Sequence, residues 1–123
     1  MKKILAVDDD AGVLMSVKEG LNALVSGYEI FTANDGKECL EFLKGGNKPD
    51  LVILDLMMPN MDGWEVQRKI QESKDWKDIP IMFLTAKTDE YSKRMGKIVG
   101  KEFIEKPFEI TELKNRIDQL INK

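Results

Sequence analysis

The stretch Leu51-Val52-Ile53-Leu54-Asp55 decides how the rest of the chain is read. Four consecutive apolar residues are too few for a helix, and they lack the alternation of a strand with one wet face. This is the pattern of a strand buried on both sides in a parallel sheet. It recurs at Ile4-Leu5-Ala6-Val7, at Ile81-Met82-Phe83-Leu84 and, in shorter form, at Phe103-Ile104. Tyr28-Glu29-Ile30-Phe31-Thr32-Ala33 is more polar and reads as an edge strand. Between these runs the apolar residues take helical spacing. They are Val13, Leu14, Val17, Leu21, Leu24 and Val25; Leu40 and Leu43; Val66 and Ile70; and Ile110, Leu113, Ile117, Leu120 and Ile121. Tyr91, Met95, Ile98 and Val99 fall on one face of a further helix, weakened by Gly96. Gly45-Gly46-Asn47-Lys48-Pro49 reads as a helix stop and turn.

Strand and helix thus alternate five times, which predicts an α/β fold of right-handed βαβ units, a doubly wound five-stranded parallel sheet with helices on both faces. The length of 123 residues fits one domain, 1–123, so any output module would be another molecule. Hydrophobic residues make up 42% and charged residues 33%, the balance of an ordinary globular domain. Net charge is -3, the wrong sign for gripping nucleic acid through its phosphates. The chain has no histidine, which excludes histidine triads, imidazole acid-base chemistry and histidine metal ligands. Its single cysteine, Cys39, forms no internal disulfide and reads as a half-buried thiol in a reducing compartment. Met1-Lys2-Lys3-Ile4-Leu5-Ala6-Val7 is not a signal peptide, because aspartates come directly after four apolar residues, and no run approaches a membrane span. The expected location is the cytoplasm.

The chemistry lies in the polar residues just past each apolar run. Asp8-Asp9-Asp10 come after the first, Asp55 after the third, Thr85 after the fourth and Lys106 after the fifth, all at strand carboxyl ends. In an open doubly wound sheet, ligands bind outside those ends where the strand order reverses. With order 2-1-3-4-5, Asp8, Asp9 and Asp55 meet across one crevice. Asp10 reads instead as the N-cap of the first helix. Carboxylates brought together repel unless something positive lies between them. Lys106 and a hard divalent cation are the two candidates, and an all-oxygen site suits Mg²⁺.

Asp8-Asp9, the stretch from Leu51 to Gly63 (LVILDLMMPNMDG), Leu84-Thr85-Ala86-Lys87 and Lys106-Pro107-Phe108 resemble the signature set of response-regulator receiver domains, in order and spacing, over essentially the whole chain. The resemblance implies a flavodoxin-like (βα)5 fold and a place in two-component phosphorelay signalling. Asp55 would be the phosphoacceptor. Asp9, Asp55 and the backbone carbonyl of Met57 would ligate Mg²⁺, with Asp8 acting through a bound water. Thr85 would be the switch hydroxyl, Lys106 the phosphate-binding lysine and Phe103 the aromatic that changes rotamer, with Pro107 in a cis Lys-Pro bond. The phosphohistidine donor would belong to a sensor histidine kinase or a histidine phosphotransfer protein. A downstream protein effector would read the surface of the fourth helix, fifth strand and fifth helix, with no direct contact to nucleic acid or membrane. The chain would act as a monomer or a phosphorylation-dependent homodimer, and would catalyse only its own phosphorylation and dephosphorylation.

Some residues depart from the family pattern or imitate others. Val99-Gly100-Lys101-Glu102 replaces the usual acidic stretch before the aromatic. Lys93, Arg94, Lys97 and Lys101 form a basic stripe that reads as a solvated face. Gly96 to Lys101 imitates a phosphate loop without its spacing or its hydroxyl. Met57 and Lys87 occupy the two positions that the resemblance places beside the phosphate, and neither offers an amide or carboxylate to orient a hydrolytic water, so the resemblance implies a long-lived phosphoryl group. Trp64 and Trp76 read as packing residues. Two alternatives stay open. A Mg²⁺-dependent aspartyl-phosphate phosphohydrolase would need an aspartate at position 57. A phosphorylation-independent interaction module would have lost one of Asp9, Asp55, Thr85 and Lys106.

Overall fold

The computed structural model describes residues 1–24, 26–86 and 102–122. Five strands, β1 (Lys2–Val7), β2 (Tyr28–Ala33), β3 (Leu51–Asp55), β4 (Ile81–Ala86) and β5 (Glu102–Lys106), form one sheet. Among the described residues the helices are α1 (Ala11–Leu24), α2 (Gly36–Lys44), α3 (Gly63–Gln71) and α4 (Ile110–Ile121). Strand order is β2-β1-β3-β4-β5, every pair is parallel, and β1 and β3 are neighbours at the point where the order reverses. The expected fold class and order are therefore observed.

Alternation within each strand divides the core in two. Ile4, Ala6, Ile53 and Leu84 face one side, where Leu14, Val17 and Leu21 of α1 and Leu113 and Ile117 of α4 cover them. Leu5, Val7, Val52, Leu54 and Phe83 face the other, against Cys39, Leu40 and Leu43 of α2 and Val66 and Ile70 of α3. β3 is buried along its whole length, as its unbroken apolar run requires. Gly20 lets α1 approach α4 closely, since a Cβ there would lie 2.5 Å from Ile110.

Loops obey local chemistry. Asp35 and Asp62 cap α2 and α3, each accepting from the amide three residues on. Gly45 ends α2, and Gly46 takes φ +89°, the left-handed turn that glycine allows.

Two expectations need correction. Phe103-Ile104 lies in an edge strand where only Ile104 is buried, not in a strand covered on both faces. Cys39 is fully buried rather than half-buried, because α2 turns it onto the sheet. The helix expected over 91–99 lies outside the described residues, as do Val25, Lys87, the basic stripe Lys93, Arg94, Lys97 and Lys101, and the glycine-rich stretch 96–101. Among the described residues, no helix is long and apolar enough to cross a membrane.

Candidate functional site

The strands deliver four polar side chains to one end of the sheet. Asp8 comes directly after β1 and is fully buried. Its Oδ1 accepts from the Asp10 amide at 2.9 Å, which fixes the carboxylate within its own loop. Asp10 faces out and caps α1, its Oδ1 accepting from the Gly12 amide at 2.8 Å. Asp9, between them, is exposed. Asp55 ends β3, 3% exposed, and its Oδ1 accepts from the Met57 amide at 3.3 Å.

Lys106 ends β5 and reaches back across the sheet. Its Nζ lies 2.7 Å from Asp8 Oδ2 and 3.4 Å from Asp55 Oδ1. Burial works against the lysine's charge, but the two carboxylates outweigh it and hold its pKa above the ordinary value. Burial pushes the Asp55 carboxyl up to about 7, and the charge of Asp8 adds to the rise. Lys106 and the Met57 amide oppose it without cancelling it. One ammonium thus leaves the cluster short of positive charge.

Asp8, Asp9 and Asp55 offer oxygens that all lie within 4.8 Å of one another. Asp8 Oδ2 is buried, and among the described residues no hydrogen bond of good geometry reaches it, the Lys106 ammonium supplying its compensation. Three hard oxygen donors, one of them incompletely satisfied, fit a hard divalent cation.

The loop after β3 is held by α3. The Gly63 amide donates to the Leu56 carbonyl at 3.0 Å, and a Cβ on Gly63 would lie 2.5 Å from the Asp55 carbonyl oxygen. Only glycine lets the helix start this close to the strand end. Asn60, at φ 69°, makes the turn between them. Met57 leaves its side chain 62% exposed at the mouth of the site.

Thr85, 1% exposed, stands on β4 opposite Glu105, one register position before the Ala86–Lys106 pair. Its hydroxyl donates to the Ala86 carbonyl at 3.4 Å. Phe103 pairs with Phe83 across β4 and β5, their ring centroids 5.5 Å apart. The Arg116 guanidinium on α4 donates to the Phe103 carbonyl. The Lys106-Pro107 bond is cis, as the resemblance implied.

Residues 4–118 match the family model of the response regulator receiver domain. The chain belongs to that family. The receiver domain is 37% identical over 123 residues to the alkaline phosphatase synthesis transcriptional regulatory protein PhoP of Bacillus subtilis, covering 99% of this chain and 49% of that protein. It is 39% identical over 122 residues to the response regulator MprA of Mycobacterium leprae, covering 98% of this chain and 51% of that protein. The chain therefore spans about half the length of these curated relatives. Among solved structures, the chemotaxis protein CheY4 of Vibrio cholerae superposes with TM-score 0.84 at 34% identity over 98% of each chain. A response regulator receiver domain protein from Clostridium thermocellum gives 0.85 at 30% identity, over 99% of this chain and 95% of that one. Phosphorylation and Mg²⁺ binding are typical of the family.

The site residues expected from the sequence converge in the receiver domain, Asp8, Asp55 and Lys106 through direct contacts and Asp9 and Thr85 at the same strand ends. Trp64 packs against the core, as expected. Gly63 was visible in the sequence only as part of a motif, and Arg116 gave no signal because its partner is a backbone carbonyl.

Proposed function

We propose that this receiver domain accepts a phosphoryl group on Asp55 from a phosphohistidine partner and relays the change to a downstream protein. The observation that carries the reading is the Lys106 ammonium held between Asp8 and Asp55 at the carboxyl end of the sheet. In the reaction, an Asp55 carboxylate oxygen attacks phosphorus, the phosphorus–nitrogen bond of the donor breaks, and the imidazole leaves with the bonding electrons. Asp8, Asp9, Asp55 and the Met57 carbonyl would hold Mg²⁺, whose charge would offset the carboxylates and the phosphoryl oxygens. Lys106 tracks the new group as a point charge, and the Thr85 hydroxyl donates to one of its oxygens.

Phosphorylation adds nearly two negative charges beside Thr85 and Lys106. Movement of Thr85 toward them frees space for Phe103 on the same face of the sheet, and the surface around β5 and α4 changes with it. The donor is a sensor histidine kinase or a histidine phosphotransfer protein. The reader is a protein effector, a second copy, or a further domain like the unmatched half of the longer relatives. The domain turns over no separate substrate.

Intact-mass measurement after acetyl phosphate and Mg²⁺ tests the reading. A stable adduct that hydroxylamine removes and Asp55→Asn abolishes is the expected result. No adduct, or rapid turnover of unrelated phosphomonoesters, would overturn it, the latter in favour of a hydrolase.

A further inference from the structure

Gly63 and Trp64 open α3 side by side and touch different parts of the molecule. Gly63 lies against the backbone of Asp55 and Leu56, with no room even for a methyl group. Trp64 packs its ring 4.9 Å from Phe83 and 6.2 Å from Phe103, the latter edge-on at 63°. Phe83 is fully buried and cannot retreat, whereas Phe103 is half-buried on the edge strand.

We propose that Trp64 is a positioning residue that holds the Phe103 ring against Phe83 and ties it to the strand end bearing Asp55. This rests on the phosphorylation reading above and adds to it a second connection between Asp55 and Phe103, one that bypasses Thr85. The connection is short and stiff. A displacement of the Asp55–Leu56 backbone moves Gly63, because close-packed backbone atoms transmit strain instead of absorbing it. Gly63 carries Trp64, and Trp64 forms one wall of the Phe103 site. An aromatic pair of this geometry biases a two-state ring by about two- to tenfold. By linkage, holding the ring where it packs in the unmodified protein opposes, by the same factor, a ligand that selects the turned ring.

The test compares wild type, Trp64→Leu and Trp64→Phe by aromatic NMR of Phe103 in the unmodified protein. A second measurement is affinity for beryllofluoride with Mg²⁺, a non-covalent phosphoryl mimic. Trp64→Leu is expected to shift the Phe103 ring resonances toward exposed values and to tighten beryllofluoride binding about two- to tenfold. Trp64→Phe is expected to restore most of both effects, which a general loss of core volume would not do selectively at Phe103. Unchanged Phe103 resonances in Trp64→Leu, or a Trp64→Phe variant no nearer to wild type, overturns the proposal. If Trp64→Leu does not fold, Trp64→Met takes its place in both measurements and the same outcomes decide. A wild type that forms no acetyl phosphate adduct defeats the phosphorylation reading instead, and the resonances of the unmodified protein still judge the hold of Trp64 on Phe103.

Discussion

At the residue scale the site is a problem of uncompensated charge. Asp8, Asp9 and Asp55 crowd one ammonium, so removing a carboxylate relieves the folded state when no cation is bound. Asp55→Asn is expected to raise the melting temperature by a few degrees in chelator, and added Mg²⁺ to narrow the gap by stabilising wild type more. Lys106→Ala should do the opposite. Breaking a fully buried pair costs about 3–5 kcal/mol, and with the Lys106 side chain 25% exposed the expected loss is about 2 kcal/mol, measured by urea denaturation and partly recovered with Mg²⁺. If Met57 leaves water unoriented at the mouth of the site, the Met57→Asn, Lys87→Glu double variant loses its phosphoryl group several-fold faster than wild type. Equal lifetimes would refute that role. Asp8, Asp55 and Lys106 were legible in the sequence because polar residues ending apolar strands have few structural reasons to be there. The hydrogen bonds that aim them were not, since the Met57 and Asp10 amides belong to backbone that every residue has.

At the element scale, β3 and α3 form the rigid part of the site. Gly63→Ala would force a Cβ against backbone atoms at 2.5 and 2.8 Å, which have no side-chain freedom with which to retreat. The expected cost is about 1–3 kcal/mol or more, together with displacement of the Asp55 end of β3. Gly20→Ala is the control. Its Cβ would lie 2.5 Å from Ile110 Cγ1 and 3.4 Å from Ile110 Cβ, so the branched side chain must shift, and about 1 kcal/mol of regained helix propensity offsets part of that, leaving a smaller loss by thermal denaturation than at Gly63. Element boundaries were the less legible part. Asp55, Thr85 and Lys106 are the last residues of their strands or lie within them, because pairing with a neighbouring strand continues past the apolar run. β5 misled for a related reason, since a two-residue apolar run does not distinguish a central strand from an edge.

At the scale of the whole molecule, alkaline conditions find the weak points of the core. Burial pushes the Cys39 thiol from 9.0 up to about 12. Burial first, and then the Asp118 carboxylate to which its hydroxyl donates, push Tyr28 from 10.0 up to about 12. The unfolded chain loses both protons at lower pH than the folded one, so stability is complete below about pH 9 and falls as pH rises toward 12. A urea midpoint that declines steadily above about pH 9 is expected, and iodoacetamide should label Cys39 near neutral pH only after unfolding. The Lys106–Asp8 contact carries a different consequence. It joins the first strand to the last, so the functional pocket cannot exist on a growing chain until nearly the whole domain has left the ribosome. A nascent chain long enough to place Asp8 beside Asp55 but still lacking β5 holds its acids without their counter-charge. On the proposed reading, competence to be phosphorylated would be acquired in one late step of synthesis, when β5 brings Lys106 to the two carboxylates.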